Sequence, residues 1–310
     1  MPRKAILPTI LVLASFVAVG LFVFVDEKPA AEKASTNSNS VNQAQAYILP
    51  VAETNYLPIR NFNIAEPDIG ARAAGLFDVR SERFLYDKNI DQHLPIASIA
   101  KLMTAVVIIE SLPLNDIYAV AVEDINVDGK GADLYKGERI RGSDLLKIML
   151  IKSSNDAALT FYRGAEKDGF DLVARMNEKA KLIGMNNTKF SDPAGLDDSS
   201  FSTVNDLVKL TRYVGKYPII WEMLTVKMAD VSSSDGRLKH HLINTNRLLD
   251  EMPGIIGGKT GYTDGALETM ALELAINNGR DRLISIVLGA NDRFGETKKL
   301  IEWGLSAYRW

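Results

Sequence analysis

The apolar and polar positions of the 310-residue chain predict strands at both ends of its body and helices between them. ARAAGLFDVRSERFLYDKN (71–89) predicts two short strands around an Arg-Ser-Glu turn, and MALELAI-NNGRD-RLISIVLGA predicts a β-hairpin near the C-terminus. Strands from both ends of a body can share one antiparallel sheet, which leaves the helices between them as a second lobe. The pattern therefore predicts an α+β fold, with an antiparallel sheet flanked by helices and an all-helical lobe.

The helices are predicted from dense or periodic apolar residues. IASIAKLMTAVVIIESL is apolar enough for a buried helix that begins near Ala97. Further helices are predicted over residues 142–152, 156–166, 168–183, 205–215 and 294–308. Ser143 is the predicted N-cap of the first of these, and Asn155 or Asp156 that of the second. DPAGLD (192–197) predicts a surface loop.

The N-terminal segment differs from this body. Residues 5–25 contain no charged side chain, and as a helix they would span about 31 Å, close to the hydrocarbon thickness of a bilayer. Because Arg3 and Lys4 precede the run, we expect residues 1–25 to be an uncleaved signal-anchor in the cytoplasmic membrane, with a cleaved signal peptide as the alternative. Residues 26–46 are small and polar, as in a flexible tether. The predicted anchor, flexible linker and extracytoplasmic body therefore cover residues 1–25, 26–60 and 61–310.

Composition excludes several classes of function. The net charge is −3 with both signs interspersed, so no basic stripe indicates binding to nucleic acid. The chain has no cysteine, which excludes disulfides, thiolate catalysis and cysteine-ligated zinc.

GIIGGKTGYTDGA (254–266) raises the possibility of a phosphate-binding loop, because a lysine and a threonine follow two glycines. The P-loop pattern G-x-x-x-x-G-K-[ST] requires a glycine where this chain has Pro253, and a helix directly after it. Turn residues and the predicted hairpin follow instead. We therefore interpret the segment as an edge strand, where Lys259 supplies fixed positive charge, Thr260 binds a carboxylate and Gly261 lets a substrate backbone approach.

Two further clusters suggest nucleophilic catalysis. Ser98 and Lys101 are three apart and share a helix face, where a lysine can act as the base for a serine nucleophile. It can do so only when neutral, so its pKa must lie well below about 10.4. Ser153 and Asn155 lie at the break between two predicted helices. There Ser153 can relay a proton, and Asn155 can hold a substrate amide or Lys101.

The three clusters occur in the order S-x-x-K, S-x-N and K-T-G, which is typical of penicillin-binding proteins and active-site serine β-lactamases. PIASIAKLMTA, LLKIMLIKSSNDAAL, MNEKAKLIGMNNTKFSDPAGLD and GGKTGYTDGA also look like motif neighbourhoods of one family. The body from about residue 70 onward resembles the low-molecular-mass penicillin-binding proteins, the D-alanyl-D-alanine carboxypeptidase family. The resemblance implies a β-lactamase/penicillin-binding-protein-like fold, with the active site between the sheet and the helical lobe.

The resemblance also implies a role for each residue. Ser98 would attack the carbonyl between two terminal D-alanines of a peptidoglycan stem peptide and form an acyl-enzyme, with Lys101 as general base. The catalytic residues are then Ser98, Lys101 and Ser153, and the substrate-binding residues are Asn155, Lys259, Thr260, Gly261 and Tyr262. The backbone amides of Ser98 and Tyr262 would form the oxyanion hole. β-Lactams would acylate Ser98, and no metal or cofactor is implied.

The sequence leaves five alternatives to this interpretation. A D,D-endopeptidase that cleaves peptide cross-links would use the same site, and a non-catalytic penicillin-binding wall protein would only bind there. A β-lactamase is disfavoured, because Ser154 stands where class A enzymes carry aspartate and no E-x-x-L-N segment supplies their glutamate. A Ser-His-Asp triad or a zinc site would need His93, His240 or His241. Relatives usually carry Ala-Gly where this chain has Ala266-Leu267-Glu268, which predicts a changed strand entrance.

Overall fold

The computed structural model of the protein describes residues 57–125 and 133–310. Its strands are β1 (Ile59–Arg60), β2 (Ala73–Asp78), β3 (Arg83–Lys88), β4 (Leu94–Pro95), β5 (Ile117–Ala119), β6 (Arg139–Arg141), β7 (Phe201–Ser202), β8 (Met228–Ser232), β9 (Lys239–Ile243), β10 (Ile255–Thr263), β11 (Leu267–Ile276), β12 (Asp281–Ala290) and β13 (Tyr308–Arg309). Its helices are α1 (Lys101–Ser111), α2 (Gly142–Ile151), α3 (Asn155–Lys167), α4 (Leu172–Leu182), α5 (Val204–Val214), α6 (Pro218–Thr225) and α7 (Arg293–Ala307).

One antiparallel sheet of five strands has the order β10-β11-β12-β2-β3. It joins strands from both ends of the body, as predicted, because β2 pairs with β12 and places Ala74 opposite Val287. The predicted C-terminal hairpin is formed by β11 and β12. Strand β10 lies at one edge of the sheet and pairs with β11 through its inner side. The outer side of β10 is therefore the side that can border a binding site.

Alternating side chains of the central strands build a hydrophobic core on each face of the sheet. Met270 and Leu272 of β11 belong to the core under α7, together with Leu300. Ala271, between them in the chain, and Ile284 of β12 belong to the core shared with the helical part. Full burial of a side chain such as leucine contributes about 1.5–3 kcal/mol. The sheet is thus held between two cores, which gives β10 a defined position.

Helix α1 lies within the helical part and packs against α2, α4 and α5. Its residues from Lys101 to Ile108 are all buried, which confirms the prediction of a buried helix. The start differs from the prediction, because a 3₁₀ turn over Ala97–Ala100 precedes α1. Ala97 has a φ of 48°, in the left-handed region that a right-handed α-helix does not use.

Both predicted helix caps were wrong. Ser143 lies inside the first turn of α2, whose N-cap is Arg141 without a side-chain bond. The N-cap of α3 is Ser154, whose hydroxyl accepts an N–H of the first turn. Asn155 and Asp156 are already helical, and their side-chain oxygens accept bonds from other parts of the chain.

Several elements had no clear pattern in the sequence. Helix α6 and the two-stranded ribbons β4–β7, β5–β6 and β8–β9 belong to this group. Strand β1 pairs with β13, with Ile59 opposite Arg309. The predicted anchor over residues 1–25 lies outside the described residues. Within those that are described, no helix has the length and apolar character needed to cross a bilayer.

Candidate active site

Ser98 and Lys101 meet where the 3₁₀ turn runs into α1. One turn separates the two residues, so their side chains lie on the same side of the chain. Lys101 Nζ lies 2.7 Å from Ser98 Oγ. Lys101 is fully buried, whereas Ser98 lines an open cleft. A hydroxyl this close to an amine can pass its proton to that amine when the amine is neutral.

DPAGLD (192–197), predicted to be a surface loop, packs in part against α1. The Ala194 carbonyl accepts a bond from Lys101 Nζ at 2.7 Å. The neighbouring Pro193 carbonyl accepts one from the Thr104 hydroxyl, also at 2.7 Å. The prediction was wrong for these residues, because their carbonyl groups are the partners of buried polar side chains and are buried with them.

Ser153 and Asn155 reach the same cleft from the break between α2 and α3. Ser153 has a φ of 63°, which is uncommon for a residue other than glycine and turns the chain sharply between the two helices. Asn155 Oδ1 accepts a bond from Lys101 Nζ at 2.7 Å. Of the two partners suggested for Asn155 by the sequence, the structure therefore shows Lys101.

Lys259 lies on the edge strand β10, as predicted, but its side chain is fully buried. Its Nζ donates to Ser153 Oγ at 2.5 Å and to the Thr260 carbonyl at 2.9 Å. Burial lowers the pKa of Lys259 well below the usual value for lysine, and Lys101, when it is protonated, and Arg293 lower it further. The sequence suggested a fixed positive charge here, and burial opposes that charge.

Thr260, Gly261 and Tyr262 continue β10 along the cleft. Thr260 Oγ1 lies 2.6 Å from Thr245 Oγ1. A Cβ atom at Gly261 would lie 2.8 Å from the backbone nitrogen of Ser98, closer than real Cβ contacts allow. Only glycine therefore lets β10 approach the Ser98 amide this closely. Tyr262 is 46% exposed and forms part of the rim.

The cleft between β10 and the helical part has a volume of about 390 Å³. The residues that line it are Ser98, Asp133, Lys152, Ser153, Asn155, Asp156, Thr245, Thr260, Gly261, Tyr262, Arg293 and Phe294. Lys101 and Lys259 lie directly beneath it, each bonded to a lining serine. All eight residues singled out from the sequence thus belong to one site.

Arg293 was not among the residues singled out from the sequence. It is the first residue of α7, and Asp292, the N-cap, precedes it in an ordinary helix start. Its guanidinium donates to the Gly261 carbonyl and to the Glu268 carboxylate. No motif marks it, because its place in the cleft depends on how α7 packs against β11 and β12.

All three histidines are among the described residues, and none lines the cleft. His240 contacts Glu138, His241 contacts Asp230, and His93 contacts an asparagine side chain. A Ser-His-Asp triad with Ser98 is therefore contradicted. In the described part of the chain, no group of three or more acidic or histidine side chains is placed to hold a metal ion.

Comparison with known families agrees with this geometry. The profile of Peptidase S11, described as D-alanyl-D-alanine carboxypeptidase, matches residues 60–292. The chain belongs to this family. This S11 family member is 31% identical over 250 residues to the D-alanyl-D-alanine carboxypeptidase DacF of Bacillus subtilis (strain 168), across 77% of this chain and 63% of that protein. It is also 31% identical over 246 residues to a D-alanyl-D-alanine endopeptidase of Escherichia coli (strain K12), across 77% and 78%.

A solved structure shows the same fold. Penicillin-binding protein D2 from Listeria monocytogenes, in its ampicillin-bound form, is 32% identical to this S11 family member. The two align with a TM-score of 0.66 over 78% of this chain and 99% of the other. The α+β, penicillin-binding-protein-like fold implied by the sequence motifs is therefore confirmed.

Proposed function

We propose that the protein is a serine-type D-alanyl-D-alanine carboxypeptidase, which removes the terminal D-Ala from peptidoglycan stem pentapeptides through an acyl-enzyme on Ser98. The observation that carries this proposal is the 2.7 Å contact between Ser98 Oγ and the Nζ of the fully buried Lys101. Membership of the S11 family supports the same reaction and the same class of substrate.

The other partners of Lys101 support its role as general base. Asn155 Oδ1 and the Ala194 carbonyl oxygen are acceptors, and each lies 2.7 Å from Nζ. A neutral amine has two N–H groups and one lone pair. When the two N–H groups bond to these acceptors, the lone pair is left for the hydroxyl proton of Ser98. Lys101 is therefore arranged to take that proton as Oγ attacks.

In the acylation step, Ser98 Oγ bonds to the carbonyl carbon between the two D-alanines, and its proton moves to Lys101. The oxyanion that forms would accept N–H bonds from the backbone of Ser98 and Tyr262, and the close approach of β10 at Gly261 supports this pairing. The C–N bond then breaks, and the leaving amine takes the proton that Lys101 accepted, passed on through the Ser153 hydroxyl, which leaves Lys101 neutral again. Water attacks the ester with Lys101 as base, which releases the shortened peptide and restores Ser98.

The terminal carboxylate of the substrate would bind beside β10. The Thr260 hydroxyl can donate to it, and the Arg293 guanidinium supplies a positive charge that lines the cleft. Lys259 lies beneath, with a pKa lowered by burial. An arriving carboxylate raises the pKa of a nearby lysine, so carboxylate binding would favour the protonated form of Lys259.

β-Lactams are proposed covalent inhibitors that acylate Ser98. The penicillin-binding protein D2 of Listeria monocytogenes, which shares this fold, has been solved in ampicillin-bound and cefotaxime-bound forms. A carboxylate on the inhibitor would bind at the same end of the cleft, beside Thr260 and Arg293.

The proposed location is the cytoplasmic membrane, with the body on the extracytoplasmic side where peptidoglycan lies. The charge-free run over residues 5–25, preceded by Arg3 and Lys4, supports this orientation. Extraction of the full chain from membranes by detergent but not by high salt would agree with an anchor. Release by salt alone would contradict it.

The function is tested with the full chain in detergent, beside Ser98→Ala and the control Ser234→Ala, which changes an exposed serine. Each protein is incubated with a pentapeptide ending in D-Ala-D-Ala and with a cross-linked muropeptide dimer, and products are followed by mass spectrometry. We expect loss of one alanine from the pentapeptide, abolished only by Ser98→Ala. If the dimer is cleaved and the pentapeptide is not, the assignment moves to a D,D-endopeptidase. If neither substrate is cleaved, the proposal is overturned.

A further inference from the structure

Glu268 lies in the segment where this chain departs from the family pattern, and its carboxylate makes two contacts with Arg293. Its Oε2 accepts the backbone N–H of Arg293 at 2.9 Å, and its Oε1 accepts an N–H from Nη2 at 3.1 Å. The same guanidinium donates through Nη1 to the Gly261 carbonyl. Arg293 is therefore held between a carboxylate on β11 and the backbone of β10.

The pair is largely removed from solvent. The side chain of Arg293 is 13% exposed and that of Glu268 is 29% exposed. The Arg293 Nε atom is buried and has no hydrogen-bond partner among the described residues. Charge-assisted bonds are stronger where water is excluded. The two acceptors together define one orientation of the guanidinium plane.

Only one member of the pair borders the cleft. Arg293 lines it together with Thr260, Gly261 and Tyr262, whereas Glu268 is not among the lining residues. We propose that Glu268 is a positioning residue, which holds Arg293 at the end of the cleft where the substrate carboxylate binds. This inference rests on the proposed function, and it concerns how tightly that carboxylate is bound.

Two physical effects support the assignment. An arginine side chain has many rotamers, and a guanidinium that is already oriented loses less freedom when a carboxylate binds. Glu268 is also one of the two acceptors that hold the guanidinium among the described residues, and the other is the Gly261 carbonyl. Without Glu268, the side chain of Arg293 would lose one of these acceptors and could adopt orientations that point away from the cleft.

The test uses Glu268→Ala, Arg293→Ala and the double variant, all as full chains. We measure KM and kcat for a pentapeptide ending in D-Ala-D-Ala, and the concentration dependence of Ser98 acylation by benzylpenicillin. We expect Glu268→Ala to raise KM about tenfold with kcat within about twofold, the pattern of lost substrate binding. In the Arg293→Ala background, the same change should have no further effect, because Glu268 acts through Arg293.

Glu273→Gln is the matched control. Glu273 also lies on β11 and pairs with an arginine, Arg282, at 3.1 Å, but neither residue lines the cleft. We expect no change in KM for this variant. Glu268→Gln, which keeps one acceptor for Arg293, should raise KM less than Glu268→Ala does.

The outcomes separate this inference from the proposed function. If Glu268→Ala and Arg293→Ala act additively, or if Glu268→Ala lowers kcat and leaves KM unchanged, the positioning role is overturned. If the wild type does not cleave the pentapeptide, the proposed function fails. The acylation data then still decide the inference, because benzylpenicillin also carries a carboxylate, and an unchanged concentration dependence in Glu268→Ala would overturn it.

Discussion

The two walls of the cleft each bring a fully buried lysine to a serine, but they do so in different ways. In the helical wall, Lys101 contacts Ser98, which precedes it by one turn of its own chain segment. In the sheet wall, Lys259 contacts Ser153, which is 106 positions away in the sequence. The first contact follows from helix geometry alone, whereas the second exists only because the edge strand packs against the break between α2 and α3.

The difference shows how one residue type can serve two purposes. Lys101 lies among a hydroxyl, an amide oxygen and a backbone carbonyl, which fits its proposed role as the base that takes a proton from Ser98. Lys259 lies on the strand that would bind the substrate carboxylate, and burial lowers its pKa. A lysine in this position gains its charge most readily when an anion arrives.

The largest effect is expected for Lys101, the lysine of the helical wall. Lys101→Ala should lower kcat/KM about 10³- to 10⁴-fold, because loss of a general base removes proton transfer from Ser98. The measurement is pentapeptide hydrolysis together with the rate of Ser98 acylation by labelled penicillin. Lys101→Arg is the control, since a guanidinium keeps the positive charge but does not lose its proton. Near-normal rates in Lys101→Arg would show that Lys101 acts only through its charge.

A smaller loss is expected when the two walls are pushed apart. In Gly261→Ala, the new Cβ would meet the Ser98 nitrogen at 2.8 Å and Thr269 Oγ1 at 2.6 Å, so β10 must shift. A displacement of about 1 Å at a reaction site can cost about 100-fold in rate, and we expect that loss in kcat/KM. Gly258→Ala is the control on the same strand, where the nearest atom is Asn246 Nδ2 at 3.0 Å. Equal losses in both variants would indicate general damage to β10.

The buried lysine of the sheet wall predicts a pH-dependent stability. The folded-state pKa of Lys259 is lowered from an unfolded value near 10.5, so between the two values the unfolded chain binds more protons. The free energy of unfolding should therefore rise with pH through this window, because the cost of burying the charged form is present below it and is relieved above it. Urea unfolding at about pH 7 and about pH 9.5 measures this change.

Lys259→Met is the comparison variant for that measurement. It removes the titrating group, so the stability of the wild type should rise relative to that of the variant as the pH increases. Parallel pH dependence of the two proteins would contradict a lowered pKa at Lys259.

The smallest effect concerns the turn that leads from β10 into β11. Leu267 has a φ of 55°, where a Cβ atom costs about 1–2 kcal/mol and glycine, which has none, is not strained. Glycine loses more backbone freedom on folding, so Leu267→Gly should raise the free energy of unfolding by about 0.5–1 kcal/mol, seen as a higher Tm. Leu267→Ala keeps the strained φ and should give no such gain. A gain in the alanine variant would mean that the leucine side chain is the source of the strain.

The predictions from sequence succeeded where the interactions are local. The buried character of α1, the hairpin of β11 and β12 and the pairing of Ser98 with Lys101 all depend on residues close together in the chain. Predictions of caps and loops failed where the group in question forms a hydrogen bond with a residue that is distant in the sequence. Asn155 does not cap α3, because its side chain accepts a hydrogen bond from Lys101. Ala194 is buried, because its carbonyl also accepts a hydrogen bond from Lys101.

The sequence by itself determined the order of the three motifs, the α+β pattern of elements and the family, since these depend on residue identity and on short-range periodicity. Only the tertiary structure decided that Lys259 is buried and that Ser153 is its partner. It also decided that Arg293 lines the cleft and bonds to Glu268. Those contacts link β10, α7 and the helical part across long stretches of chain. Such distances are set by the packing of the sheet between its two cores, which no local pattern of residues specifies.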